Sequence, residues 1–179
     1  MKYYDNFRSV LLMLALFLML GISTEAQKRN PPRSNKSVSA GKTKTATNAE
    51  TVKQASQTVS NQIKNLAQFI YIYGGSLTRI QLIDQEARQG RLSDSARKQS
   101  EGGKQGLILT VRTFKNAMLK LEDDFRNTPA LHSYLLQLTG VGETASTAEE
   151  QATAGQFEQS GRTLLEVLNQ LTDTLQAMH

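Results

Sequence analysis

Two histidines, His132 and His179, and one dense acidic run, Glu122-Asp123-Asp124, are the groups of this 179-residue chain best suited to chemistry. A protein metal site draws on three or four converging side chains, and no metal-ligand spacing accompanies either histidine. His132 falls in a short apolar-periodic stretch, where an exposed or hydrogen-bonded role is expected. His179 is the last residue of the sequence and is expected to fray. No Glu-x-x-His pair of the di-iron bundle kind is present. Adjacent carboxylates on a helix point about 100° apart, so Glu122, Asp123 and Asp124 read as a solvated helix end and not as a chelating face. The chain has no Cys. Disulfides, thiolate metal sites, cysteine nucleophiles and c-type haem attachment are thereby excluded. Ser and Thr are plentiful, but no Gly-x-Ser-x-Gly, phosphate loop or zinc-ligand spacing accompanies them. The expectation is a protein that is not an enzyme, with no catalytic residues, metal ligands or resident cofactor.

The elements that would carry any other function begin with residues 1–26. Lys2 and Arg8 precede an uncharged run from Val10 to Ile22, and the small and polar residues Ser23, Thr24 and Ala26 follow. Basic, then apolar, then small is the order of a secretory signal peptide. The 13-residue apolar run is shorter than the roughly 17–25 residues a membrane-crossing helix uses. Cleavage after Ala26 would leave Gln27 first. Export to a bacterial periplasm or the extracellular space follows, since eukaryotic secreted domains more often use Cys.

Charge is distributed unevenly. Residues 27–46 hold Lys28, Arg29, Arg33, Lys36, Lys42 and Lys44 with no acid, whereas residues 47–179 hold 13 basic and 14 acidic side chains. The net +5 therefore belongs to one short segment, and the remainder gives no reason to expect nucleic acid as a specific partner. With Pro31, Pro32 and almost nothing apolar, residues 27–46 read as a disordered basic arm. Such an arm contacts anionic surfaces weakly. The domain itself is expected over 47–179.

Within that domain the apolar residues recur every three or four positions. Val52, Ala55, Val59, Ile63, Leu66, Ile70, Tyr73, Leu77 and Ile80 form one helical stripe. Phe69-Ile70-Tyr71-Ile72-Tyr73 lies inside that stripe and is taken as helix despite its β-like composition. A second helix is expected after Ser93, an N-cap residue, with the stripe Ala96, Ser100, Gly103, Leu107, Val111, Phe114, Met118, Leu121 and Phe125, stopped by Pro129. A short helix follows over Ala130–Leu138, with Gly140 as its stop. A last helix is expected from about Ala145 to the end, with the stripe Phe157, Gly161, Leu164, Leu168, Leu171, Leu175 and Met178. Its alanine-rich first half has little to bury and is expected to be the loosest helical segment. The fold class is all-α: an up-and-down antiparallel bundle of three long helices and one short one.

A turn near Gly90-Arg91-Leu92 sets residues whose numbers total about 182 opposite each other. That register places Gly74-Gly75 beside Gly106-Leu107-Ile108, and Gly102-Gly103 beside Arg79-Ile80. Large-into-small packing is expected at both places, with Gly103→Leu overpacked. Around Leu66–Tyr73 and Leu107–Val111 the helices are apolar on more than one face. Phe69, Tyr71, Ile72, Ile108 and Leu109, with Leu135 and Leu138 of the short helix, are therefore the candidate partner or ligand surface. The short helix is expected to lie over that zone as a lid. Function is expected to be non-catalytic: an exported interaction or structural module, self-associating or binding an unknown protein through its helix faces. The alternative is a carrier of a small apolar ligand or cofactor, with a pocket around Tyr71, Tyr73 and Phe114.

Overall fold

The computed structural model describes residues 40–91 and 93–179, with side chains from Thr47 onward. The expected signal peptide and residues 27–39 of the arm, including Lys28, Arg29, Arg33 and Lys36, lie outside the described residues. Five α-helices and one 3-10 segment make up the rest: α1 (Ala40–Arg88), α2 (Asp94–Asn127), the 3-10 turns Pro129–Tyr134, α3 (Leu135–Leu138), α4 (Val141–Thr153) and α5 (Phe157–Ala177). No strand occurs among the described residues.

Helix α1 has 49 residues, about 73 Å at 1.5 Å per residue. It starts at Ala40, so residues 40–46, with Lys42 and Lys44, belong to a helix and not to the expected flexible arm. It runs without interruption through Gly74-Gly75. Ser93 caps α2, its hydroxyl accepting from the Ala96 amide at 3.3 Å. The expected stripes point inward in part: Val59, Leu66, Tyr73 and Ile80 from α1, and Ser100, Leu107, Val111, Phe114, Met118, Leu121 and Phe125 from α2, are buried. Val52, Ala55, Ile63, Ile70 and Leu77 are half-buried, and Phe69, outside the expected stripe, is a core residue. Phe69 and Phe114 pack with ring centroids 5.2 Å apart, residue numbers that total 183.

The second half of the chain corrects the expected helix count. Gly155, at φ +77°, ends α4, and α5 starts afresh at Phe157. A left-handed residue of this kind stops an α-helix, and Gly adopts it without a Cβ clash. The expected single last helix is thus two antiparallel ones. Nor is α4 loose. Val141, Ala145, Ala148 and Ala152 are completely or almost completely buried, at intervals of four, three and four. Their small side chains let α4 lie between α2 and α5. The approach is close enough for the buried Ser160 hydroxyl to donate to the Ala148 carbonyl at 2.8 Å.

Four antiparallel seams close the bundle. α1 meets α2 at Phe69–Phe114 and meets α5 where the Tyr73 hydroxyl donates to the Phe157 carbonyl at 2.8 Å. α4 meets α2 through Glu149 and Lys115, 2.8 Å apart, and meets α5 through Ser160 and Ala148. This is an up-down-up-down four-helix bundle with α1 and α4 at opposite corners. Since Tyr73 already meets the first residue of α5, α1 and α2 continue beyond that level as a two-helix arm. Asp84 and Lys104 bridge the arm at 3.0 Å. Burial lowers the Lys104 pKa, but Asp84 and Glu101 outweigh it and hold the group above its usual value.

The glycine packing expected in that arm is absent. A Cβ built on Gly74, Gly75, Gly102 or Gly103 meets nothing within 4 Å. Close approach occurs elsewhere. At Gly161 a Cβ would lie 3.2 Å from Tyr73 Cε1, and at Gly142 it would lie 2.6 Å from Leu119 Cδ2.

Candidate functional site

The groups with chemical potential are largely committed to structure. Glu122, half-buried, accepts from the Gly142 amide at 3.2 Å and from the Gly140 amide at 3.4 Å, and pairs with Arg126 at 3.0 Å. A carboxylate at the start of α4 satisfies two amides that the helix leaves unpaired and faces the positive end of its dipole. The acidic run thus splits: Glu122 pins a neighbouring helix, Asp124 pairs with Lys120 at 2.8 Å, and Asp123 is exposed. His132 Nε2 lies 2.9 Å from the Arg126 carbonyl, so that nitrogen carries the proton and donates. His179 Nε2 lies 3.5 Å from Ser56 Oγ. Among the described residues no three metal-ligating side chains converge.

Glu149 of α4 is the centre of the strongest charged cluster. Lys115 holds it at 2.8 Å and Arg112 at 2.7 Å, with the Glu149 side chain only 14% exposed. Hydrogen bonds from Lys115 and then Arg112 keep its carboxyl below the usual carboxylate range. Tyr73 is buried, which raises its phenol pKa, and the Ser160 side chain offsets part of that rise.

The expected surface does not assemble as one patch. Phe69 and Leu138 are core residues, and Ile72, Ile108 and Leu135 are half-buried. Tyr71 and Leu109 face solvent, 86% and 58% exposed, so no lid covers them. The short segment instead closes one end of the bundle, where Leu131 and Leu138 are buried and the segment packs on α2 and α5. The expected pocket fails for the same reason: Tyr73 and Phe114 pack against Phe69, with centroids 5.4 and 5.2 Å away, while Tyr71 points outward. An open groove of about 480 Å³ lies between α4 and α5. Its wall is polar, with Glu143, Thr147, Gln151, Arg162 and Glu166, and Arg162 is already held by Glu158 at 2.7 Å.

The outward face of α1 is a further exposed surface. Lys64, Gln68, Tyr71, Gly75, Thr78 and Leu82 recur at four, three, four, three and four, all exposed. This seam lies opposite the core stripe. Leu82, 57% exposed, is the residue the sequence reading missed. Its spacing of 11 from Tyr71, about three helical turns, places both on one line. No family model, curated protein or solved structure matches this chain. Among the described residues no helix is long and apolar enough to cross a membrane.

Proposed function

We propose that this protein is an exported, non-catalytic helical module that works through a helix face in the bacterial envelope or outside the cell. The outward seam of α1 carries the reading. A tyrosine and a leucine stand exposed on one line of a helix whose other face already has its core, and bare glycine backbone lies between them. Exposed aromatic residues flanked by polar ones favour macromolecular contact. Buried Ser160 and Thr163, by contrast, are spent on the seam between α4 and α5. The export reading rests on residues 1–26, and the basic residues of 27–46 would add a weak attraction to anionic surfaces.

Photo-crosslinking in cells tests the reading. A benzophenone amino acid at Tyr71 is expected to give a discrete adduct, and the same probe at exposed Thr172 of α5 is expected to give none. Equal labelling at the two positions would remove the helix-face reading. Fractionation of the same cells should find the protein outside the cytoplasm, with an N-terminus near Gln27.

A further inference from the structure

We infer that the partner of the α1 seam is a second copy of this chain, docked antiparallel on a two-fold axis through Gly75. The inference rests on the helix-face reading above and names its occupant. In an antiparallel pair of identical helices each residue meets the one equally far beyond the axis, so that paired numbers total a constant. With the axis at Gly75 that constant is 150, and the seam becomes complementary to itself.

At this register Gly75 meets Gly75. Neither carries a side chain, and a Cβ there would touch nothing in its own chain, so the two backbones can approach closely. Tyr71 falls at the level of Arg79 in the other copy. It enters the hole bounded by Gly75, Thr78, Arg79 and Leu82, the i, i+3, i+4, i+7 arrangement that accepts a knob from a facing helix. The Arg79 guanidinium then lies against the tyrosine ring, as cation–π contacts require. Farther out, Lys64 meets Glu86.

The charges support this choice of occupant. Lys64, Arg79 and Glu86 are all exposed, form no ion pair among the described residues, and have no opposite charge three or four positions away on α1. The two-fold forms the Lys64–Glu86 pair twice and sets no like charges opposite. From Lys64 to Glu86 the seam is about 33 Å long. The other bundle helices and the α2 half of the arm pack on the core face of α1, opposite the seam, so neither obstructs the pairing.

The cysteine-free chain makes the test clean. Gly75→Cys in purified protein is expected to form a disulfide-linked dimer under mild oxidation at least about tenfold faster than Gly102→Cys, a control that is also exposed with open space around it. Sedimentation equilibrium of the unsubstituted protein should show a monomer–dimer equilibrium that weakens with salt. Lys64→Glu should weaken it about tenfold, and Lys64→Glu combined with Glu86→Lys should restore it. Circular dichroism of each variant controls for folding. Equal crosslinking at positions 75 and 102, a persistent monomer, or a double variant no better than the single one would overturn the dimer. A Tyr71 photo-adduct with a different protein would overturn it too, while leaving the helix-face reading standing.

Discussion

The Tyr73 hydroxyl donates to the Phe157 carbonyl at 2.8 Å, tying the middle of α1 to the first residue of α5. The ring is held from three sides. Phe69 meets it edge-on at 5.4 Å, and the missing side chain of Gly161 leaves room for it. Tyr73→Phe keeps the packing and leaves a buried carbonyl short of a partner, so a loss of about 1 kcal/mol is expected. Gly161→Leu drives a branched side chain against a ring already engaged by Phe69 and the Phe157 carbonyl, and a loss of about 2 kcal/mol is expected. Urea unfolding of both variants checks the order. If Gly161→Leu is harmless, α5 does not pack on α1 at this point.

The charged cluster at Glu149 makes stability depend on pH in a definite direction. Its folded pKa lies below the ordinary value because Lys115 and Arg112 hold the charged form. The stabilisation is therefore complete above the unfolded carboxylate pKa, near 4.3, and is lost as pH falls through the lower folded value. Glu149→Gln is expected to cost about 1 kcal/mol at pH 7, and the gap from the parent should narrow as pH falls below the unfolded value and close below the folded one. Melting curves across pH 3–8 check it. A gap that stays constant with pH would mean that packing, and not charge, accounts for the loss.

Helix α4 depends on being thin. Ala148 has no exposed surface, and the Ser160 hydroxyl reaches its carbonyl. Ala148→Leu is expected to destabilise by about 3 kcal/mol or to block folding, since neither α2 nor α5 can retreat without breaking other seams. Ala154→Leu, on the exposed turn, is the matched control and should stay within about 0.5 kcal/mol of the parent. Thermal unfolding of the pair distinguishes a packed α4 from a frayed one.

What could be read from residues alone follows from what periodicity reports. Bulky stripes mark the faces of α1, α2 and α5, and a turn near Gly90 places Phe69 opposite Phe114 to within a residue. Periodicity weighs apolar size, so the alanine face of α4 looks empty although it is among the most buried in the fold. The break at Gly155 was hidden by high helix propensity on both sides. Tyr71 shows the other blind spot. An aromatic off the main stripe is equally compatible with burial under a lid and with exposure, and only the position of the short segment decides. Self-complementarity of the α1 seam needed that decision first, because a covered Tyr71 could meet no second copy.

The arm formed by α1 and α2 tests the corrected glycine reading directly. From register alone, Gly103 faces Ile80 and should resist a larger residue. In the structure Gly103 is half-buried, but a Cβ on it meets no atom within 4 Å, and the same holds at exposed Gly102. With no clash to oppose it, the change should follow helix propensity, where Ala exceeds Gly by about 1 kcal/mol in a helix interior. The unfolded chain also loses freedom when Gly is replaced, which acts in the same direction. Gly102→Ala and Gly103→Ala are each expected to stabilise by about 0.5–1 kcal/mol, and together by the sum to within a few tenths if neither disturbs a neighbour. Denaturant midpoints at unchanged m-value measure this. A destabilising Gly103→Ala beside a stabilising Gly102→Ala would show that the arm closes more tightly at Ile80 than these positions allow, restoring the large-into-small packing that the sequence alone suggests.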